Sequence, residues 1–382
     1  MGPAGSAGAM RLRKVGAMFS DIRRLVRPPL RALLGPNTIL ERRGANGSVL
    51  SVDPPIVYTT LGWPDVTGNL WSYGTRLGNR RALVVIYLSW HFGPEPSGQD
   101  RLHSIHQYRA AFPEHEVVFA CNAPDEVATL RRAGEKAHLL NHNLTVSERF
   151  FRPLSEAEPT LDAVYNARLS DTKRLWLARD IPTVGYILRK ISEDDSVRAA
   201  EILQSVRQLE PAHRIFNRIE AGRPVLLDGE AVNAAYNQAA VGLCLSEVEG
   251  AMLSSMEYML AGLPIVSTPS LGGRDLFFDP EYCLVVPPDP GRIRDAVAAL
   301  RARGIPRAYV REKTLLRIEA QRRSFLALLD DFLVRSGYEP RFGDRWPWLE
   351  KRSLCAGGNA KKQIALAGLH EKSRPARAVA GS

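Results

Sequence analysis

Two glutamates eight residues apart, Glu249 and Glu257, are the residues of this chain best placed to do chemistry. The segment runs Ser246-Glu247-Val248-Glu249-Gly250-Ala251-Met252-Leu253-Ser254-Ser255-Met256-Glu257. The apolar run Val241–Leu245 before it reads as a strand, and Leu253–Leu260 after it as a helix. A strand that turns through Glu249-Gly250 into a helix aims free backbone N–H groups and the positive helix end beyond the strand's carboxyl edge. Open α/β sheets bind their ligands in that place, and anionic ligands are favoured there. A carboxylate near a helix start is stabilising in itself, which gives Glu257 a purely structural reading. Glu249, in the loop, has less structural excuse. Upstream, Arg168 and Lys173 follow the strand-like Asp162–Ala167.

The elements that must position these groups form a regular series. Short apolar or β-branched runs at Pro55–Thr60, Ala82–Trp90, Glu116–Cys121 and His138–Asn141 alternate with helical stretches at Arg101–Phe112 and Asp125–Ala133. A second series has strands at Asp162–Ala167, Thr183–Leu188, Val241–Leu245, Pro264–Ser267 and Tyr282–Val286. Its helices are Thr172–Ala178, Asp194–Leu209, Glu230–Ala239, Leu253–Leu260, Gly273–Phe277 and Pro290–Arg303, followed by a long amphipathic helix over 309–335. Strands alternating with helices imply βαβ units and parallel sheets, here two of them. The sequence therefore divides into a basic N-terminal extension (1–48), an N-terminal Rossmann-like unit (49–155) and a C-terminal one (156–335). A return segment (336–350), anchored by Trp346 and Trp348, leads back toward the first unit, and a basic tail (351–382) has the composition of disorder.

The neighbourhood of the two glutamates resembles the retaining glycosyltransferases of GT-B fold, the glycosyl transferases group 1 family, with its E-x7-E signature. Leu260-Ala261-Gly262-Leu263-Pro264, Gly272-Gly273-Arg274-Asp275 and Val285-Val286-Pro287-Pro288-Asp289-Pro290 are similar to its following helix-to-strand passage, glycine turn and Val-Pro-Pro stretch. Arg168-Leu169 through Lys173 resembles its Arg-Leu…Lys element, and Asn143-Leu144-Thr145-Val146 with Phe151-Arg152-Pro153 a loosened form of its domain junction. The likeness covers roughly 140–305. It implies two Rossmann-like domains facing a cleft, with a shortened N-terminal domain. It also implies transfer of a sugar from a nucleotide-diphosphate donor to an acceptor, with retention of anomeric configuration and no cofactor or metal. Arg168 and Lys173 would hold the diphosphate, Glu249 would lie beside the transferred sugar, and Glu257 would accept from the ribose hydroxyls. Gly250, Ala251, Met252, Leu253 and Ser254 would line the donor site. Ala251-Met252 stands where the family has Phe-Gly, which leaves the donor sugar open. Two other readings remain: a same-scaffold enzyme using a sugar phosphate, and a non-catalytic binding subunit.

His91 follows a strand and faces a Gly-bearing loop, a candidate for the N-terminal side of the cleft that no motif maps. His103 and His106, three apart on a helix, lack a third metal ligand. Of the whole chain's 382 residues 45% are hydrophobic and 24% charged, which excludes bulk disorder, and the net charge is +10. That basicity belongs to the ends: residues 1–35 and 351–382 each hold seven basic residues against one acidic. The body between them is nearly neutral, which argues against nucleic acid as a partner. The tails and the amphipathic stretch 18–34 suit contact with an anionic membrane surface, although Pro28-Pro29 would interrupt a helix there. No apolar run reaches membrane-spanning length and no secretory signal opens the sequence. Cys121, Cys244, Cys283 and Cys355 are too scattered for a disulfide or zinc framework. These features suggest a cytoplasmic protein, peripheral at a membrane if it meets one.

Overall fold

The computed structural model describes residues 47–60, 68–93, 96–154, 159–189 and 196–354. The amphipathic segment 18–34, Cys355 and most of both basic ends lie outside them. Two separate sheets form, as the two βα series require. The first has the order β1-β2-β3-β4-β5, built from Gly47–Val52, Pro55–Thr60, Ala82–Tyr87, His115–Cys121 and Ala137–Leu139. Here β1 runs antiparallel to β2 and the remaining pairs are parallel. The second has the order β13-β12-β11-β6-β7-β8. In chain order its strands are β6 (Leu161–Arg168), β7 (Val184–Arg189), β8 (His213–Ile215), β11 (Ala239–Cys244), β12 (Ile265–Ser267) and β13 (Cys283–Val285), all parallel. A short hairpin, β9 (Ile219–Glu220) and β10 (Arg223–Pro224), stands apart.

The central strand β3 shows why the first sheet is covered on both faces. Leu83, Val85 and Tyr87 enter one apolar cluster while Val84, Ile86 and Leu88 enter another, the alternation a strand imposes on a continuous apolar run. A single large core surrounds the second sheet. The helix Arg307–Arg335 ties the two together: Val310 and Ile318 pack into the second core, Phe325, Leu326, Leu329, Phe332 and Leu333 against the first sheet. At the crossing point Arg322 donates to the carbonyls of Leu144 and Val146 and pairs with Glu148. Trp346 and Trp348 join the first sheet's cluster, Trp346 beneath the Arg322 guanidinium.

Several expectations need correction. Thr172–Ala178 is not a helix but two 3-10 turns, Asp171–Lys173 and Leu175–Ala178, separated by Arg174 in left-handed conformation (φ 46°). The Arg174 guanidinium bonds the carbonyl of Leu245 and the hydroxyl of Thr268, contacts a regular helix would forgo. Gly273–Phe277 likewise contracts to a 3-10 turn, Arg274–Phe277. Strand β1 and the helix Gly68–Leu77 were not anticipated. Nor does chain packing end at 350: Arg352, Ser353 and Leu354 are held against the body, with the Leu354 carbonyl accepting from Ser48 and the Arg352 carbonyl from the Ser147 amide.

Candidate functional site

The carboxyl ends of β6, β7 and β11 converge on Lys173 and Glu249. Lys173 closes the first 3-10 turn after β6, its carbonyl accepting from the Tyr165 hydroxyl at 2.5 Å. Its ammonium forms an ion pair with the Glu249 carboxylate, both side chains only 8% exposed. The Ser246 hydroxyl donates to the same carboxylate at 2.5 Å. Burial, with the charges of Arg168 and Arg189, pushes the Lys173 ammonium down, and Glu249 pulls it back. Arg168, at the end of β6, is pushed down by burial and by Arg189, and raised by Glu249. Three of the four sequence-selected charges therefore share one electrostatic environment.

The Glu249 loop is fixed by backbone. Its amide donates to the Leu271 carbonyl at 3.0 Å, and the Gly250 carbonyl accepts from Gly273 at 2.9 Å. Gly272 sits at φ +100°, and a Cβ there would lie 1.9 Å from the Glu249 carbonyl oxygen, so only glycine fits. Arg274, fully buried, donates to the carbonyls of Cys244, Ser246 and Thr268 and pairs with Asp275. It thereby saturates the carbonyls left where the strand ends, which answers the cost of unpaired buried backbone. Where the family has glycine, Met252 itself adopts the left-handed conformation at φ 51°, at a cost of about 1–2 kcal/mol. Its side chain is buried in the core, which offsets that cost. The helix Leu253–Leu260 starts at once behind it. Ala251 and Ser255 both meet Asn143 of the first unit, whose side-chain amide donates to the Ala251 carbonyl at 2.7 Å.

Glu257 does not meet the Lys173 cluster directly. It is 4% exposed and accepts from the Tyr236 hydroxyl at 2.6 Å and from Arg352 at 2.9 Å. Arg352 comes from the chain's return and lies over the Phe151 ring. A thread back to the β6 edge exists, since Asn166 donates to the Tyr236 hydroxyl at 2.6 Å. Asn166 and Arg168, two apart on β6, share one face of the strand.

The first unit closes against this edge. A Cβ on Gly250 would come 2.9 Å from the Ser89 carbonyl, and one on Gly273 would come 2.1 Å from the Asn122 carbonyl oxygen. Asn141 donates to the Gly273 carbonyl at 2.7 Å. Beside this contact lies His91, 3.4 Å from Asp125 and 4.0 Å from Glu126, with its buried Nδ1 lacking a hydrogen-bond partner. Glu126 is fully buried and accepts from the amides of Phe92, Asn122 and Ala123. Burial outweighs those bonds and pushes its carboxyl up to about 7. His103 and His106 turn to separate partners, Gln107 and Glu135. Among the described residues no group of three His, Cys, Asp or Glu side chains could hold a metal, and no helix is long and apolar enough to cross a membrane.

Sequence reasoning missed Arg189, Tyr236, Glu126 and Arg352. Each is an ordinary residue in an ordinary element: the register of β6 with β7 brings Arg189, the return of the C-terminus brings Arg352, and the packing of the helices Gly229–Asn237 and Pro124–Arg132 brings Tyr236 and Glu126. Arg274 lay inside a quoted motif, but nothing in its spacing marked it as a buried brace.

Residues 193–303 match the model of the family Glycosyl transferases group 1. No curated protein matches the chain. Among solved structures, the sucrose-phosphate synthase of Thermosynechococcus elongatus is similar with a TM-score of 0.51 and 18% identity, over 74% of this chain and 73% of that one. The α,α-trehalose 6-phosphate synthase of Burkholderia multivorans also gives 0.51, with 13% identity over 73% of this chain and 72% of that one. At such identities the likeness concerns the fold, and the fold is GT-B. The matched residues lie within the second unit.

Proposed function

We propose that this protein is a glycosyltransferase that moves a sugar from a nucleoside-diphosphate donor to an acceptor with retention of configuration and without a metal ion. The observation that carries the reading is the pairing of Lys173 with Glu249 at the junction of two GT-B units, with the Arg168 guanidinium in the same field. A diphosphate brought into such a cleft needs cations and N–H donors, because burying its charge uncompensated costs many kcal/mol. Arg168 and Lys173 supply the cations. The turn Gly250–Ser254 and the helix start behind it supply the positive end of a short dipole. As the glycosidic bond breaks, charge develops on the departing phosphate, and a preorganised cation there stabilises the transition state more than the ground state.

Glu249 lies on the sugar's side of that phosphate, where its carboxylate accepts from hydroxyls. Glu257 takes the ribose hydroxyls once Arg352 yields it. His91 stands at the same junction in the first unit, its Nε2 3.4 Å from Asp125. Retention on this scheme needs no side-chain nucleophile, since the leaving phosphate accepts the acceptor's proton on the same face. On this reading the protein works in the cytoplasm, and its basic ends suit contact with an anionic membrane surface. A second reading is favoured by one observation: both glutamates are already satisfied internally, as in a binding subunit that never turns over. A thermal-shift panel of nucleoside diphosphates, followed by their release from the matching nucleotide sugars with candidate acceptors, separates the two. Proton NMR of the product's anomeric signal, with and without a chelator, tests retention and metal independence. Diphosphate binding with no release under any acceptor would favour the subunit reading.

A further inference from the structure

The ends of β6 and β7 place two arginines side by side. Arg168 and Arg189 are register partners in a parallel pair, so they project from the same face of the sheet at neighbouring-strand spacing. Arg168 is half-buried and Arg189 exposed. Neither has an ion-pair partner among the described residues, whereas arginines elsewhere commonly end on carboxylates: Arg198 on Asp171, Arg301 on Asp162, Arg317 on Asp279, Arg335 on Glu116. Asp171, the acidic residue nearest in sequence to Arg168, is turned away by Arg198, which binds both of its oxygens. Lys173, beyond the end of β6, feels both arginines, and its own partner is Glu249. The cluster thus holds three cations against one carboxylate.

Resting on the glycosyltransferase reading above, we propose that Arg189 is a third phosphate-binding residue, which gives the site two excess positive charges matched to the two anionic phosphates of a nucleoside-diphosphate donor. Like charges on adjacent strands repel, and among the described residues Glu249, already paired with Lys173, is the one carboxylate that offsets them, so the site is poised for an anion of that charge. The pair also discriminates between ligands. A monophosphate is satisfied by Arg168 and Lys173, whereas the second phosphate of a diphosphate needs its own partner. If instead Arg189 were a solvated arm, its removal would relieve repulsion and change no ligand's affinity.

The test is calorimetric titration of the full-length protein with UDP, ADP, GDP and CDP, and then with the monophosphate of the best binder. Arg189→Ala should weaken the diphosphate about 10–100-fold, the loss expected for one charge-assisted contact. The monophosphate should lose a smaller factor, and added salt should narrow the gap. Arg189→Lys should recover part of the loss, because it keeps the charge without the fork. The unliganded melting temperature of Arg189→Ala should equal or exceed that of wild type, which excludes misfolding as the cause. Arg189→Ala binding the diphosphate as wild type does, while Arg168→Ala loses it, would overturn the assignment of Arg189 and leave the donor reading intact. Failure of the wild-type protein itself to bind any of the four diphosphates would overturn both.

Discussion

Removing the Lys173 ammonium while keeping its volume, as Lys173→Met does, strands the Glu249 carboxylate in a site that is 8% exposed on both sides of the pair. The Ser246 hydroxyl remains, but one neutral donor does not replace a cation. Breaking a buried pair by deleting one partner costs roughly 3–5 kcal/mol, because an uncompensated charge is left behind. Replacing both by groups of similar shape is close to neutral. Lys173→Met and Glu249→Gln should therefore each lower the unfolding free energy by about 3–5 kcal/mol in urea at pH 7, and the double variant should recover most of it. The coupling energy read from that cycle, the two single losses together less the double's, is then about 5 kcal/mol or more, well above the 0.2–1 kcal/mol or so of an exposed pair. In turnover assays Lys173→Met should lower kcat about 10²–10³-fold at saturating donor, the scale of one preorganised group aimed at developing charge. A coupling energy under about 1 kcal/mol would refute the reasoning. It would mean that water reaches the pair and that no desolvated pocket surrounds Glu249.

Arg352→Ala frees Glu257 from its competitor, so nucleoside-diphosphate affinity by calorimetry should tighten several-fold even as thermal stability falls; weaker binding would show instead that Arg352 touches the donor. Gly273→Ala drives a methyl toward the Asn122 carbonyl and should cost about 1–3 kcal/mol in chemical denaturation, with the two units pushed apart in small-angle scattering. Glu126 carries a pH signature: its carboxyl is raised to about 7 in the folded protein, so the neutral form is favoured and stability is lost as pH rises from about 4.5 through 7. His115 and His142, buried neutral, act oppositely as pH falls below about 6.5, so the readout is the difference in melting temperature between wild type and Glu126→Gln. That difference should change across pH 5–7 and flatten above it; a constant offset would place Glu126 in ordinary solvent.

What the sequence made legible is what depends on local pattern. β3 was visible because six consecutive apolar residues have few other uses, and the Glu249 loop because strand, glycine and helix start follow within a few residues. The two sheets followed from the same alternation. What stayed hidden depends on distant parts meeting. Arg189 acquires meaning only when β7 settles in register with β6, and Arg352 only when the chain returns 95 residues after Glu257. The false helix at Thr172–Ala178 has a similar origin. Its residues tolerate a helix, but Arg174 gains two bonds to the ends of β11 and β12 by breaking it, a tertiary preference that overrides local propensity. Met252 shows the converse: it holds a left-handed turn without being glycine, because a buried thioether compensates the strained torsion.

The unliganded site is also informative in how its charges are satisfied. Lys173 holds Glu249, and Arg352 with Tyr236 holds Glu257, so each glutamate assigned to the donor is already bonded to something the donor must displace or join. Such pairs keep two buried carboxylates tolerable, where unpaired they would each cost several kcal/mol. On the proposed reading, a diphosphate arriving at Arg168 and Lys173 would draw the ammonium toward phosphate, and the sugar hydroxyls would then take its place on Glu249. Net binding energy is the difference between two well-made sets of contacts, which leaves ground-state affinity modest. On that reading the interactions that strengthen as the bond breaks are those to the phosphate, where negative charge grows and outcompetes Glu249 for the Lys173 ammonium. The proposal therefore assigns specificity for donor charge to the cations of the β6 and β7 ends, and to the glutamates the orientation of the rest of the molecule.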